Sequence, residues 1–304
     1  MTVELSSPVW RSLLYVPANV ERYVAKAHER GADGIILDLE DSIPLAEKRN
    51  ARDNIQSAMR SVGQHGGDVL VRINRPLNLA VRDIQTSVFP DLDALVIPKV
   101  IGPEHITLLD EVVTALEYER GLSMGSIRFL AMIESPEAFF KINEIAKSSQ
   151  RIAAITIGAE DLALSLGMEP DSETLLYPTT QSVYAAKGAG IMALGIFGTV
   201  ADYQDLSSVR QVAEKARKFG LEGAFCIHPS VIPVLNEAFS PSEVEISNAH
   251  KVVKASKTAE KNGRGSFLLN GKMVDAPVVD RAKLLLERNH AIINKNVTKT
   301  GENS

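Results

Sequence analysis

The sequence predicts an α/β fold: a TIM (β/α)8 barrel followed by a C-terminal helix–hairpin–helix appendage. Three observations lead there. Eight short apolar runs, rich in β-branched residues, recur between residues 13 and 227. Their near-continuous hydrophobicity suits parallel strands covered on both faces. Helix-like spacing fills the gaps between them, and eight β/α units in succession favour a closed barrel over an open sheet. Periodicity does not show closure, so a doubly wound open sheet stays as the alternative at this point.

The elements follow in order. Leu13 to Val16 is the first strand, and Val20 to Arg30 behind it has helical spacing. Gly34 to Leu39 is the second strand, with a helix over Ala46 to Ser61. Val69 to Ile73 and Ala94 to Ile97 are the third and fourth, and Pro103 to Tyr118 opens with proline, as helices do. Ile127 to Ile133, then helical Pro136 to Ser148, and Ala153 to Ile157 supply strands five and six. Pro178 to Gly188 leads to strand seven at Ile191 to Phe197, and Leu206 to Phe219 leads to strand eight at Ala224 to Ile227. Composition shifts after about residue 235. Pro241-Ser242-Glu243 starts a helix that runs to about Asn262, and Gly263-Arg264-Gly265 breaks it. Asn270-Gly271 is a strong two-residue turn signal, which makes Phe267 to Val274 a hairpin. A last helix spans about Pro277 to Asn289. The expected division is a barrel over 1–235, an appendage over 236–294 and a disordered polar tail over 295–304.

Composition removes several function classes. The 304 residues carry 33 Lys plus Arg against 38 Asp plus Glu, a net charge of −5, so nucleic acid is not the expected main partner. One cysteine, Cys226, excludes a disulfide framework or a thiolate zinc site within the chain. The uncharged run between Lys187 and Asp202 is fourteen residues, too short to span a membrane. Glu4 precedes any basic residue and no apolar export run follows, so a cytoplasmic protein is expected.

Barrels of this kind use the C-terminal ends of their strands as the active face. The polar residues there are Asp38, Glu40 and Asp41 after strand two, and Arg72 and Asn74 around strand three. Lys99 follows strand four, Glu134 strand five, Glu160 and Asp161 strand six, and His228 strand eight. So many carboxylates at one mouth repel each other unless a cation neutralises them. Oxygen-only donors favour Mg2+, which takes one or two carboxylates and keeps several waters.

Nine motifs in register resemble a known family. They are Arg11-Ser-Leu-Leu-Tyr-Val-Pro-Ala-Asn19, Ile36-Leu-Asp-Leu-Glu-Asp-Ser42, Val71-Arg-Ile-Asn74, Ile97-Pro-Lys-Val100, Met132-Ile-Glu-Ser135, Gly158-Ala-Glu-Asp-Leu162, Cys226-Ile-His-Pro229, Asn236-Glu-Ala-Phe239 and Gly271-Lys-Met-Val-Asp275. Together they resemble the citrate-lyase-β-like acyl-CoA lyases of the HpcH/HpaI aldolase superfamily, the malyl-CoA and citramalyl-CoA lyase group. The resemblance implies a Mg2+-dependent barrel, with Mn2+ as an alternative ion. Glu134 and Asp161 match the metal ligands, and Glu40 and Asp41 match residues that hold metal-bound waters. Arg72 matches the arginine on the substrate oxygen where charge develops. Gly158, Ala159 and Glu160 match the backbone segment that receives the substrate carboxylate. Asp275 matches an aspartate on a C-terminal lid delivered from a neighbouring subunit, which implies a homo-oligomer, a trimer or hexamer. Its partners would be an acyl-CoA thioester and a small α-keto acid. Two departures stand out: Ala18 and Val20 where many members have glycine and then arginine near the CoA nucleotide, and Gly195-Ile-Phe-Gly-Thr-Val-Ala-Asp-Tyr203 in place of an acidic loop after strand seven.

Each residue also has a structural reading. Glu134 and Asp161 could stabilise helix N-termini, Asp38 could pair with Arg72, and Asp275 could cap the last helix. Lys99 could pair with carboxylates or form a Schiff base. His228 and Cys226 read as structural. Gly188-Ala-Gly-Ile-Met-Ala193 fits a dinucleotide fingerprint but ends a helix instead of opening one, and the Asn296-Val-Thr298 sequon carries no weight without an export signal. The expected activity is cleavage of a β-hydroxyacyl-CoA to acetyl-CoA and an α-keto acid, pyruvate or glyoxylate. Citramalyl-CoA is preferred, because Ile196 and Phe197 would make an apolar place for its methyl. A carrier-protein-dependent citrate lyase β subunit, a metal-dependent aldolase on free keto acids and a non-catalytic barrel are the alternatives.

Overall fold

The computed structural model describes residues 7–201 and 203–300, the last three of these by backbone only. β1 (Ser12–Pro17) leads through α1 (Glu21–Ala27) to β2 (Gly34–Asp38). α2 (Lys48–Asp53) and α3 (Ile55–Val62) precede β3 (Asp68–Arg72), and α4 (Leu77–Ser87) precedes β4 (Ala94–Ile97). α5 (Pro103–Glu119) connects to β5 (Arg128–Ile133), and α6 (Pro136–Phe140) and α7 (Ile142–Ile145) to β6 (Ile152–Ile157). α8 (Ala159–Leu166) and α9 (Leu176–Ala189) reach β7 (Met192–Leu194). α10 (Leu206–Lys218), β8 (Ala224–Cys226) and α11 (Ile232–Ala238) end the series.

All eight strands are parallel, in the order β7-β6-β5-β4-β3-β2-β1-β8. The edge strands β7 and β8 then meet. The Glu222 amide donates to the Ala193 carbonyl at 2.9 Å, and the Gly195 amide donates to the Gly223 carbonyl at 2.9 Å. The sheet is thus a TIM-like barrel ringed by helices, and the open-sheet alternative falls away.

Period two divides every strand between two cores. Leu13, Ile36, Leu70, Val96, Leu130 and Phe225 belong to a cluster that fills the barrel, with Trp10 beneath them. Their neighbours Leu14, Ile35, Val71, Leu95 and Ala131 join the larger cluster shared with the helices. Gly223 is required where the chain passes Trp10: a Cβ there would fall on the Trp10 carbonyl, 2.7 Å from its carbon.

Strand seven is shorter than expected. It stops at Leu194, because Gly195 (φ +133°) and Gly198 (φ +148°) leave the extended conformation. Phe197 therefore turns into the outer core, 1% exposed, with its ring 4.9 Å from that of Phe219. The dinucleotide-like glycines end α9, with Gly190 in the left-handed C-cap position, φ 73°.

A second compact unit begins at Ser240, not at 236. Leu235, Ala238 and Phe239 are buried in the outer core of the barrel, so α11 belongs to the first unit. The second unit holds α12 (Glu243–Lys261), the strands β9 (Phe267–Leu269) and β10 (Lys272–Val274), and α13 (Ala276–Thr300). Ser242 caps α12 in a reciprocal capping box with Glu245. Asn270 and Gly271 both have positive φ, as the tight hairpin turn requires. The segment expected to be a disordered tail from residue 295 is helical to Thr300, an extension of α13, and residues 301–304 lie outside the described residues. Among the described residues no helix is long and apolar enough to cross a membrane.

Candidate active site

Continuing the inward-facing positions past the strand ends brings the polar residues together. On β2 and β3, Ile36 and Leu70 point inward, so Asp38 and Arg72, two residues on, do the same. They are register partners. Arg72 donates from Nε and Nη2 to the two Asp38 oxygens, each at 2.7 Å. The Glu40 and Ser42 amides also donate to Asp38, at 2.9 and 3.1 Å. Burial pushes the Asp38 carboxyl up, but the Arg72 fork and these amides override it and hold it below the usual range. The pairing read as the structural alternative for Asp38 is therefore present. Arg72 is also braced from below, its guanidinium 4.9 Å from the centre of the Tyr15 ring. Its Nη1 reaches Glu40 at 3.0 Å and Asp41 at 3.7 Å.

Glu134 leaves β5 by the same rule, two residues after the inward-facing Met132. It does not cap α6; Ser135 does, accepting from the Ala138 amide at 3.2 Å. The Glu134 carboxylate instead accepts the Lys99 backbone amide. It is 5% exposed, and its pKa is pushed up to about 7, first by burial and then by Asp161 and Glu40, with the Lys99 amide opposing. Asp161 sits in the first turn of α8, whose N-cap is Gly158, so it is not the cap either. A Cβ on Gly158 would stand 2.8 Å from the Glu134 carboxyl carbon, so that position leaves room for the carboxylate.

Lys99 pairs with carboxylates. Its Nζ lies 2.6 Å from Glu40, 3.1 Å from Asp41 and 3.9 Å from Asp161. Glu40 is raised by burial despite Arg72 and Lys99. The Gly158 amide is spent on the Ile133 carbonyl at 2.9 Å. The next two amides, Ala159 and Glu160, open a helix and have no helical acceptor. Glu160 itself accepts the Thr199 hydroxyl from the loop after β7. His228 is satisfied, with Nδ1 2.7 Å from Ser230 Oγ and its ring stacked on Tyr203 at 5.0 Å. Cys226 is buried and its thiol is pushed up to about 12 by that burial.

Asp38, Asp41, Arg72, Glu134, Asp161 and His228 line one cavity of about 800 Å³, within the usual size of a ligand site, whereas Glu40, Lys99 and Cys226 are not among its lining residues. Ile196, Thr199 and Val200 line it too, whereas Phe197 does not. Sequence reasoning missed its basic edge: Arg22, Lys26 and Arg30 also line the cavity. Their i, i+4, i+8 spacing was the available signal. Among the described residues no three His, Cys, Asp or Glu side chains form a metal cluster. Glu134 and Asp161 are two oxygen donors beside a cavity, one of them buried and resisting ionisation. That suits a Mg2+ ion completed by water and ligand. Asp275 lies in the second unit, between β10 and α13. Its backbone carbonyl accepts from the Val278 and Val279 amides, each at 3.1 Å. Asp275 thus stands at the N-cap position of α13, while its carboxylate makes no hydrogen bond or ion pair among the described residues.

Known proteins resemble the chain over nearly its whole length. It is 33% identical to citrate lyase subunit beta of Haemophilus influenzae, covering 91% of this chain and 96% of that one. It is 30% identical to the L-malyl-CoA/beta-methylmalyl-CoA lyase of Cereibacter sphaeroides, covering 90% and 91%. The crystal structure of CitE from Mycobacterium tuberculosis with magnesium, acetoacetate and coenzyme A superposes with a TM-score of 0.73 at 28% identity, covering 92% and 97%. The HpcH/HpaI aldolase/citrate lyase family matches residues 11–229, the whole barrel with its site, and the chain belongs to that family.

Proposed function

We propose that the protein is a Mg2+-dependent carbon–carbon lyase. It cleaves a β-hydroxyacyl-CoA of the citramalyl-CoA or malyl-CoA type to acetyl-CoA and pyruvate or glyoxylate, or runs the reverse condensation. The observation that carries this is the convergence of Arg72, Glu134 and Asp161 on a cavity that Arg22, Lys26 and Arg30 also line. Glu134 and Asp161 would hold the ion, Mg2+ or Mn2+, which when bound polarises the substrate oxygen as a Lewis acid. Glu40 and Asp41 would hold its waters.

The chain's own groups do the rest. Arg72 donates to the oxygen on which charge develops, and its Asp38 brace fixes it before reaction, so no reorganisation is needed. The Ala159 and Glu160 amides receive the substrate carboxylate, and Gly158 contributes space instead of a donor. Carbon–carbon cleavage releases the hydroxyl proton to solvent and leaves a thioester enolate, to whose carbon Asp275 delivers a proton, or from which it removes one in reverse. Its uncommitted carboxylate fits that task. It comes from a neighbouring subunit of a trimer or hexamer, as the resemblance implies. Arg22, Lys26 and Arg30, which line the cavity, would meet the phosphates of CoA in place of the glycine and arginine missing at Ala18 and Val20. Ile196 with Val200, and not Phe197, makes the place for the citramalyl methyl.

A second reading is a carrier-protein-dependent citrate lyase β subunit, which the identity to the Haemophilus influenzae protein favours. One assay separates them. Citramalyl-, malyl-, methylmalyl- and citryl-CoA and the free hydroxy acids are supplied with Mg2+, and pyruvate, glyoxylate and oxaloacetate are measured. We expect pyruvate from citramalyl-CoA in excess over glyoxylate from malyl-CoA, and no product in chelator. Oxaloacetate from a citryl thioester alone supports the subunit reading. Turnover of free acids alone supports an aldolase, and full activity after exhaustive chelation removes the metal.

A further inference from the structure

Lys99 places an amine in the middle of a proposed metal site. Its backbone lies in the left-handed region, φ 49°, which lysine adopts only when its surroundings enforce it. Two interactions enforce it here. The amide donates to Glu134, and the ammonium lies 2.6 Å from Glu40, 3.1 Å from Asp41 and 3.9 Å from Asp161. One residue thus touches both proposed metal ligands and both proposed water holders. The Arg72 fork is spent on Asp38, with one nitrogen left over for Glu40 and Asp41. The Lys99 side chain is a third exposed, so its four-carbon stem has solvent to move into.

We propose that the Lys99 ammonium is a tethered counter-ion: it occupies the acidic mouth while no divalent cation is bound and is displaced when one enters. The inference rests on the reading of Glu134 and Asp161 as ligands. A dication bound directly to two carboxylates outbids a single ammonium, while the hydrogen bond that the Lys99 amide donates to Glu134 survives the exchange because its donor belongs to the backbone. Lys99 then sets metal affinity in two opposed ways, aiming one ligand through its amide and competing through its side chain.

The opposition makes the test directional. Lys99→Met and Lys99→Gly both remove the ammonium, and only glycine also relieves the positive φ. Mg2+ affinity is measured by calorimetry at fixed pH and ionic strength, and thermal midpoints are recorded in chelator and in saturating Mg2+. Both variants should bind Mg2+ about tenfold or more tightly than the wild type, since a unit charge beside a dication is removed. Both should melt lower in chelator and gain more from Mg2+. Damage to the site only weakens binding, so tightening is not a structural side effect. Wild-type binding with equal or weaker binding in the variants overturns the inference and leaves the site reading intact. Tightening in Lys99→Gly alone assigns the effect to the backbone and also overturns it. A wild type that binds neither Mg2+ nor Mn2+ defeats the site reading itself. A second measurement needs no variant: acylation of wild-type Lys99 by an amine reagent, followed by peptide mass spectrometry, should be several-fold faster in saturating Mg2+ than in chelator. Equal or slower labelling means the ammonium stays in place.

Discussion

Glu134 holds a negative charge where burial resists one, and that resistance is measurable without substrate. Its pKa is pushed from 4.5 to about 7 in the fold. A raised acid contributes stability that is fully present below about pH 4.5 and is lost as pH rises through about 7. In chelator, wild type should therefore lose roughly 3 kcal/mol relative to Glu134→Gln between pH 4.5 and pH 8. Parallel denaturation curves at both pH values, giving a constant difference, would show that Glu134 titrates normally. Arg72 answers a different question. Its two parallel donors to Asp38 need the planar guanidinium. Arg72→Lys should lower kcat about a hundredfold, as for loss of an oxyanion donor, with a smaller change in KM. A near-normal kcat would make Arg72 a structural residue. Asp38, Arg72 and Glu134 were legible in the sequence because a strand end and a period of two place them. The positive φ of Lys99 was not legible, since its partners come from the segments that follow three other strands, β2, β5 and β6.

At the level of elements, the cores of the strands were readable and their ends were not. Apolar runs mark what is buried on both faces, but β7 stops three residues before its apolar run does. The glycines at 195 and 198 decide that, and they send Phe197 outward although its hydrophobicity matches that of Ile196. Helix α8 shows the same dependence on one small residue. Gly158→Ala would drive a methyl group into the Glu134 carboxylate. Overpacking of about 1–3 kcal/mol falls on the ligand's orientation, so Mg2+ affinity should drop about tenfold or more. Circular dichroism and the thermal midpoint in chelator should change far less. Unchanged Mg2+ titrations in this variant would mean that Glu134 is not a ligand.

The chain divides into two compact units after Phe239, and the sequence signal near that division is the change of composition after about residue 235. What the sequence could not place is the partner of Asp275, since a carboxylate free within its own unit says nothing of which chain it serves. Asp275→Asn and Asp161→Asn should each be inactive alone. Unfolded and refolded together, they should regain part of the activity if the two residues meet across subunits, since some sites then combine an intact lid with an intact barrel. A mixture that stays inactive, or a fully active monomer, would place Asp275 on its own barrel.

Among the described residues the β7–β8 seam has no ladder of register pairs and is joined by the Glu222 and Gly195 amide bonds, whereas β1 and β2 share five register pairs. Thermal breathing of the wall should begin along that line, with the Gly195 and Glu222 amides exchanging their hydrogens before those of β2 and β3. The loop after β7 borders the cavity and reaches Glu160 through Thr199. If the proposed CoA thioester is the substrate, an opening along that seam would be a sideways entrance for it, and would leave the Arg72–Asp38 pair between β2 and β3 unbroken.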